Sequence, residues 1–180
     1  TEERGENGRV ITVLPVGGDN VTNDLAVVEK ISFDVAENIK LTKGFCWKGL
    51  LRDDNSDILL PGVGGRAPIR ITRSRMCEIF QVRMQEIFHI IKQRIENVVK
   101  VKPLGGNIVI TGGGALLQGV VEVASEVFET SAVRIGVPGL LGNIKGEYQG
   151  PEFATVMGLV EQATELDDYV ERKVKKPSGD

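Results

Sequence analysis

The stretch Ile108-Val109-Ile110-Thr111-Gly112-Gly113-Gly114-Ala115 constrains the fold more than any other part of the chain. Residues Asn107 to Thr111 read as a continuous apolar strand of the kind buried in a parallel sheet. Three residues without a Cβ follow, so the chain turns there, and Leu116 to Phe128 then carries a helical period. A further strand, Ala132 to Val137, leads through a glycine-rich loop to a helix from Glu152 to Ala163. Strand, turn, helix, strand, helix is an α/β unit with its helices packed on a sheet. The glycines admit two readings at this point. They permit a tight strand-to-helix turn, and they also let backbone approach a flat ring closely, beside a helix N-terminus that offers unpaired N–H groups to an anion.

Upstream of this unit the signals are mixed. Residues 1–8 are polar and end in Asn7-Gly8, a hairpin-turn dipeptide, and Val10 to Val16 reads as a strand. No strand is legible before the turn, which predicts that the chain starts within a sheet whose earlier strands it lacks. Gly17-Gly18 closes the strand, Asp19 or Asn20 caps a helix through Leu25 to Val28, and Ser32 caps another through Lys40. Between Gly44 and Ile71 short strands are expected at Phe45 to Leu51, Ile58 to Leu60 and Pro68 to Ile71, forming a small antiparallel sheet. Thr72 then caps a long helix whose apolar stripe is Met76, Phe80, Met84, Ile87, Ile91, Ile95 and Val98, a core face. Residues 167–180 are charged and end in Pro-Ser-Gly-Asp, which reads as the start of a flexible linker.

Composition excludes several classes of function. A formal net charge of −3 argues against a nucleic-acid partner, which needs a net basic stripe. Cys46 and Cys77 stand in separate segments, and the single histidine, His89, does not complete a zinc site with them; a reducing cytoplasm suits them best. There is no apolar run of about 18 residues, so nothing in the chain is expected to span a membrane. His89 in an apolar helix and Trp47 in a strand are read as structural.

Glu37 and Lys40, in Ala36-Glu37-Asn38-Ile39-Lys40, stand at i and i+3 and share a helix face. A carboxylate accepts from ribose hydroxyls, and a lysine stem lies along an adenine face while its ammonium makes polar contacts. A solvated ion pair uses the same spacing.

Taken in order, Leu14-Pro15-Val16-Gly17-Gly18-Asp19, the segment Ala36 to Lys40, Val109 to Ala115, and Pro151-Glu152-Phe153-Ala154-Thr155-Val156-Met157-Gly158-Leu159 resemble the later half of the actin, Hsp70 and sugar-kinase superfamily. Leu60-Pro61-Gly62-Val63-Gly64-Gly65-Arg66-Ala67-Pro68 and Val133 to Pro138 resemble the bacterial cell-division family FtsA in particular, and the likeness runs from residue 9 to about 163. The resemblance implies an α/β fold, the second lobe of the actin-like ATPase fold. An RNase H-like subdomain would comprise 1–30 and 101–166, with an inserted small α+β subdomain at 31–100. It implies ATP as cofactor, with Mg in the full-length parent. Gly17 and Gly18 would lie beside the nucleotide, Glu37 and Lys40 would contact the adenosine, and Gly112, Gly113 and Gly114 would form the adenosine loop. Ala154 and Gly158 would belong to the helix joining the two lobes.

No Asp-x-Gly-x-x-Thr phosphate loop occurs in the chain, so by itself it is expected to bind ATP weakly and not to be an enzyme. By the same resemblance the parent forms protofilaments, joins FtsZ filaments to the membrane at the division site, and reaches the inner face of the cell membrane only through a C-terminal segment not in this chain. Arg66, Arg70, Arg73 and Arg75 fall within ten residues and are the expected docking surface for the mixed acidic and apolar FtsZ C-terminal tail. The second lobe of a sugar or acetate kinase, or of an MreB- or Hsp70-like protein, is the alternative; residues 58–71 favour the cell-division family over the kinases.

Overall fold

A hairpin opens the chain. In the computed structural model, which describes residues 2–4, 10–51, 56–61, 65, 67–99, 107–139 and 146–174, β1 (Glu2–Arg4) pairs antiparallel with β2 (Val10–Thr12), Arg4 opposite Val10. The strand expected to be missing before Asn7-Gly8 is therefore present. Its Glu-Glu-Arg sequence has poor strand propensity, but the pairing is made by backbone groups that every residue carries. β2 stops at Thr12 instead of reaching Val16. Thr12 faces Glu2, the first residue of β1, and Pro15, with no N–H to give a ladder, stands in the part that does not pair.

Helix α1 (Gly18–Glu29) starts earlier than expected, with Gly17 and not Asp19 or Asn20 in the capping position. Asn20 still takes part from inside the first turn, where its Oδ1 accepts the Gly17 N–H at 2.8 Å. Helix α2 (Phe33–Lys43) begins at Ser32 as read from the sequence, the Ser32 Oγ accepting the Val35 N–H. Asp34 in its first turn and Lys40 and Lys43 in its last oppose the helix dipole favourably.

The strand expected over Phe45 to Leu51 does not form. Phe45 makes only an isolated parallel bridge to Gln118, and Lys48–Leu50 is a single 3-10 turn. Phe45 and Cys46 are both buried, so this segment lacks the in-and-out alternation of a half-covered strand. The Arg73 guanidinium lies 5.0 Å over the Phe45 ring, and the Cys46 N–H donates to the Gln118 carbonyl at 2.8 Å. The rest of the small sheet is as expected. β3 (Asp57–Leu60) and β4 (Ile69–Thr72) pair antiparallel, with Ile58, Leu60 and Ile71 turned inward and Leu59 and Arg70 outward.

Helix α3 (Arg73–Val99) is capped by Thr72, whose Oγ1 accepts the Arg75 N–H at 3.1 Å. Its stripe buries Met76, Phe80, Met84 and Ile87 and then thins, leaving Ile91, Ile95 and Val98 half-buried. α3 packs on α1 and on α4 (Val120–Phe128), where Phe88 meets Phe128 edge-on at 6.0 Å. The Arg83 guanidinium forks onto Asp24 of α1 at 2.5 and 2.7 Å.

Two short strands, β5 (Ile108–Ile110) and β6 (Val133–Ile135), pair with each other. β5 is not buried on both faces as expected, because Val109 is 46% exposed while its neighbours are half-covered. Leu116 to Phe128 is not one helix: Gly113–Leu116 is a 3-10 turn, and α4 starts at Val120. α5 (Ala154–Val174) follows a 3-10 turn at Pro151–Phe153 and runs through the residues expected to begin a linker. Charged residues are good helix formers, and the stretch contains no glycine or proline before Pro177.

By compactness the chain divides into residues 1–108 with 117–134, and residues 109–116 with 135–180. The long apolar face of α3 gathers α1, α4 and the small sheet into the first unit, whatever their topological origin. Within the second unit, the Gly136 N–H donates to the Ile110 carbonyl at 2.8 Å and Thr111 Oγ1 donates to the Gly136 carbonyl at 2.9 Å.

Candidate functional site

In the first unit the α1–α2 corner brings Gly18, Thr22, Glu37 and Lys40 together. Thr22 lies one turn beyond Gly18 and is fully buried. The Lys40 ammonium donates to the Gly18 carbonyl at 3.2 Å and to Thr22 Oγ1 at 2.8 Å, and pairs with Glu37 Oε2 at 2.7 Å. Thr22 Oγ1 in turn donates to the same Glu37 oxygen. The Lys40 side chain is 12% exposed and that of Glu37 32%, so this is no freely solvated surface pair. Burial pushes the Glu37 carboxyl up, but the hydrogen bonds from Lys40 and Thr22 and the Lys40 charge outweigh it and hold the group below its ordinary value.

The arrangement can be read atom by atom. An ammonium has three N–H groups, and the protein uses all three of Lys40's. Lys40 therefore has no N–H left to give to a ligand. Its polar contacts, expected to reach a ligand, are instead made within the corner. Glu37 differs, since its Oε1 has no hydrogen-bond partner among the described residues. Gly17 is exposed beside this corner, and a Cβ on it meets nothing within 4 Å; a Cβ on Gly18 would reach the Lys40 Nζ at 3.4 Å. Sequence reasoning passed over Thr22, although a threonine on the apolar face of α1, between Val21 and Leu25, is the signal of a buried hydroxyl with work to do.

The second unit holds the glycine turn. Gly112 has φ +86, a conformation that other residues seldom adopt, and its N–H donates to the Pro151 carbonyl at 2.9 Å. Gly113 and Gly114 are different. Neither has a positive φ, and a Cβ built on either meets nothing within 4 Å. Of these three, only Gly112 has a conformation that calls for glycine. Nothing among the described residues calls for a glycine at 113 or 114, and glycine where alanine would fit costs about 0.5–1 kcal/mol of stability. No α-helix N-terminus follows directly, because α4 begins at Val120. An anion at this turn would meet only the N–H groups of a 3-10 turn.

The three described arginines of the cluster have different surroundings. Arg66 lies outside the described residues. Arg73 is stacked on Phe45, and Arg75 pairs with Glu29 at 3.7 Å and Glu78 at 3.3 Å. Arg70 reaches Asp57 only at 3.7 Å and is 75% exposed. It is the cross-strand partner of exposed Leu59, so the outer face of the β3–β4 hairpin sets a cation beside an apolar side chain.

Other candidate chemistry is absent among the described residues. Cys46 and Cys77 are buried thiols, pushed up by burial to about 12 and about 11, and hence protonated and unreactive. No group of three metal-ligating side chains and no helix long and apolar enough to cross a membrane occurs among those residues.

Comparison with known proteins places this geometry in context. A family model described as cell division protein FtsA matches residues 4–158. Cell division protein FtsA of Borreliella burgdorferi is 37% identical over 167 residues, 93% of this chain and 40% of that protein. The Escherichia coli K12 protein of the same name is 31% identical over 171 residues, 91% of this chain and 40% of that protein. The chain thus spans about 40% of the length of these relatives. Among solved structures, MreB 5 of Spiroplasma citri bound to AMPPNP aligns with a TM-score of 0.64 at 16% identity, over 92% of this chain and 48% of that one. The same protein bound to ADP aligns at 0.57 and 15% identity, over 94% of this chain and 48% of that one. The fold is that of a lobe of the actin-like ATPases.

Proposed function

The chain belongs to the cell division protein FtsA family, and from that premise we propose that it is the adenosine-holding lobe of an actin-like, ATP-binding protein. That protein ties FtsZ filaments to the membrane at the division septum and polymerises there. The observation that carries the nucleotide reading is the pair Gly113 and Gly114, which the fold does not require. Their backbone offers a surface on which adenine can lie, with Gly112 setting the turn. The first unit, taken by itself, carries groups of the kind a nucleoside uses: Glu37 Oε1, which has no hydrogen-bond partner among the described residues, is an acceptor for a sugar hydroxyl, and Gly17 and Gly18 leave backbone accessible beside it.

Bound ATP with Mg would supply a phosphate charge whose recognition binds the parent's lobes to one another. This chain contributes recognition of the nucleoside. In-line phosphoryl transfer needs positioned phosphate donors and a metal, and the Asp-x-Gly-x-x-Thr loop that would provide them does not occur in this sequence. Charge-assisted hydrogen bonds to phosphate are the strong ones, so the chain alone should bind ATP with a Kd on the order of 1 mM or weaker, about −4 kcal/mol. Calorimetry that returned micromolar affinity, or any turnover, would contradict this assignment.

For the partner, we assign docking of the FtsZ tail to the outer face of the β3–β4 hairpin, supported by Arg70 standing beside Leu59. A short acidic and apolar peptide that orders on binding suits a modest site of this kind. Titration of the chain with a synthetic FtsZ tail, followed by Trp47 fluorescence, tests it at low and high salt. Affinity should fall with salt, since exposed charges are screened over about 10 Å at 0.1 M, and Arg70→Glu should weaken binding more than Arg172→Glu, a change of the same charge far along the chain. Equal effects, or no binding at millimolar peptide, would refute the docking assignment.

A further inference from the structure

We infer that Thr22 is a positioning residue for nucleoside recognition: its buried hydroxyl holds Glu37 and Lys40 in the one arrangement that leaves Glu37 Oε1 free for a ribose hydroxyl. The inference rests on the nucleotide reading above and adds to it a residue that touches no ligand itself.

A threonine hydroxyl has one O–H to give and two lone pairs with which to accept. Here it accepts from Lys40 at 2.8 Å and gives to Glu37 Oε2, the nearer of two acceptors, the Gly18 carbonyl lying at 3.3 Å, while Lys40 also bonds Glu37 Oε2 directly at 2.7 Å. Three side chains from two helices thus close a ring. Both donors converge on one oxygen of the carboxylate and leave the other without a partner among the described residues. The carboxylate cannot rotate without breaking two charge-assisted hydrogen bonds. Lys40 is held against the Gly18 carbonyl at 3.2 Å by its third N–H. The Thr22 side chain is fully buried, so water does not substitute for it. Among the described residues, Lys40 is the charged group that acts on Glu37, and Thr22 is the neutral side chain bonded to it.

Without the hydroxyl the ion pair would survive, but with Lys40 as its one remaining donor the carboxylate could swing, and its unbonded oxygen would no longer be held in a fixed direction. Binding would persist in a looser form, and recognition of the sugar would suffer more than recognition of the base. That difference separates positioning from mere stability. A residue that only supports the fold would weaken all nucleosides alike.

The experiment compares the chain with Thr22→Val and Thr22→Ser. Each is titrated by NMR with adenosine and with 2′,3′-dideoxyadenosine, which lacks the ribose hydroxyls Glu37 would receive. The Glu37 carboxyl is titrated in parallel by carbon-13 shift, and thermal melting reports the fold. The expected result is that the wild type prefers adenosine by roughly ten-fold, the worth of one hydrogen bond to a charged group. Thr22→Val should bring that preference close to one and raise the Glu37 titration midpoint, and Thr22→Ser should restore both. An unchanged preference and midpoint in a folded Thr22→Val chain would overturn the inference. If Thr22→Val fails to fold, Thr22→Ser decides: retention of the ribose preference supports positioning by the hydroxyl, and its loss overturns it. A wild-type chain that bound neither nucleoside would instead overturn the nucleotide reading, and positioning for a nucleoside with it. In that case the Glu37 midpoint would still report whether Thr22 sets the ion pair.

Discussion

Replacing Gly112 and Gly113 separately by alanine should move stability in opposite directions. At Gly112 the backbone sits at φ +86, where a Cβ crowds its own carbonyl, and an L-residue there costs roughly 1–2 kcal/mol. At Gly113 φ is negative and the added methyl meets nothing within 4 Å. There the substitution removes freedom from the unfolded chain and stabilises by about 0.4–1 kcal/mol. For a chain of this size each kcal/mol moves the melting temperature by about 2–4 °C. Gly112→Ala should therefore melt lower by about 2–8 °C and Gly113→Ala higher by about 1–4 °C in differential scanning calorimetry. Gly114→Ala should behave as Gly113→Ala does, having the same free surroundings. In the full-length parent, Gly113→Val should abolish nucleotide binding while the protein remains folded, because the two methyl groups fill the space assigned to adenine. If Gly113→Ala destabilised the chain as much as Gly112→Ala, the fold itself would be demanding the glycine. The argument for a ligand at this turn would then collapse.

Other perturbations probe the core and the α1–α2 corner. Phe80 is fully buried at the centre of the α3 stripe, so Phe80→Ala should cost about 3–5 kcal/mol, read from the urea midpoint; a loss under 1 kcal/mol would mean that the α3 face is not the core. Glu37 has its folded-state value held below the ordinary 4.5, so its ionised form stabilises the fold above about that pH, and this contribution disappears as pH falls through the folded value. Glu37→Gln should accordingly be less stable than the wild type at pH 7, and the gap should close in acid; a gap that widened below pH 4.5 would reverse the assigned sign.

Much of the local structure could be read from local chemistry. Ser32 and Thr72 cap their helices through hydroxyls three residues from the N–H they accept, a signal contained within a single turn. The α3 stripe and the alternation of Ile58, Leu59 and Leu60 follow from the same side-chain periods that place them in the fold. Gly112 is likewise legible, because a turn out of a strand at positive φ calls for glycine. The misses have a common cause. β1 carries no apolar pattern, and its existence depends on a partner strand. Phe45 left the expected strand for a place beneath Arg73, a residue far away in the chain. Three arginines that look equivalent in the sequence are dispersed by their neighbours: one lies over a ring, one is paired with Glu29 and Glu78, and Arg70 is left on the outer face.

The site divides in the same way. Glycines and the i, i+3 pair of Glu37 and Lys40 are written in the chain because each depends on backbone geometry over a few residues. Thr22 is not, since a hydroxyl acquires its meaning from what the packing of α1 on α2 brings within 3 Å of it. Local steric and hydrogen-bonding rules act along the sequence and can be recovered from it. Which polar group meets which across a buried helix pair is set by the joint packing of residues distant in the chain, and that was decided only when the helices came together.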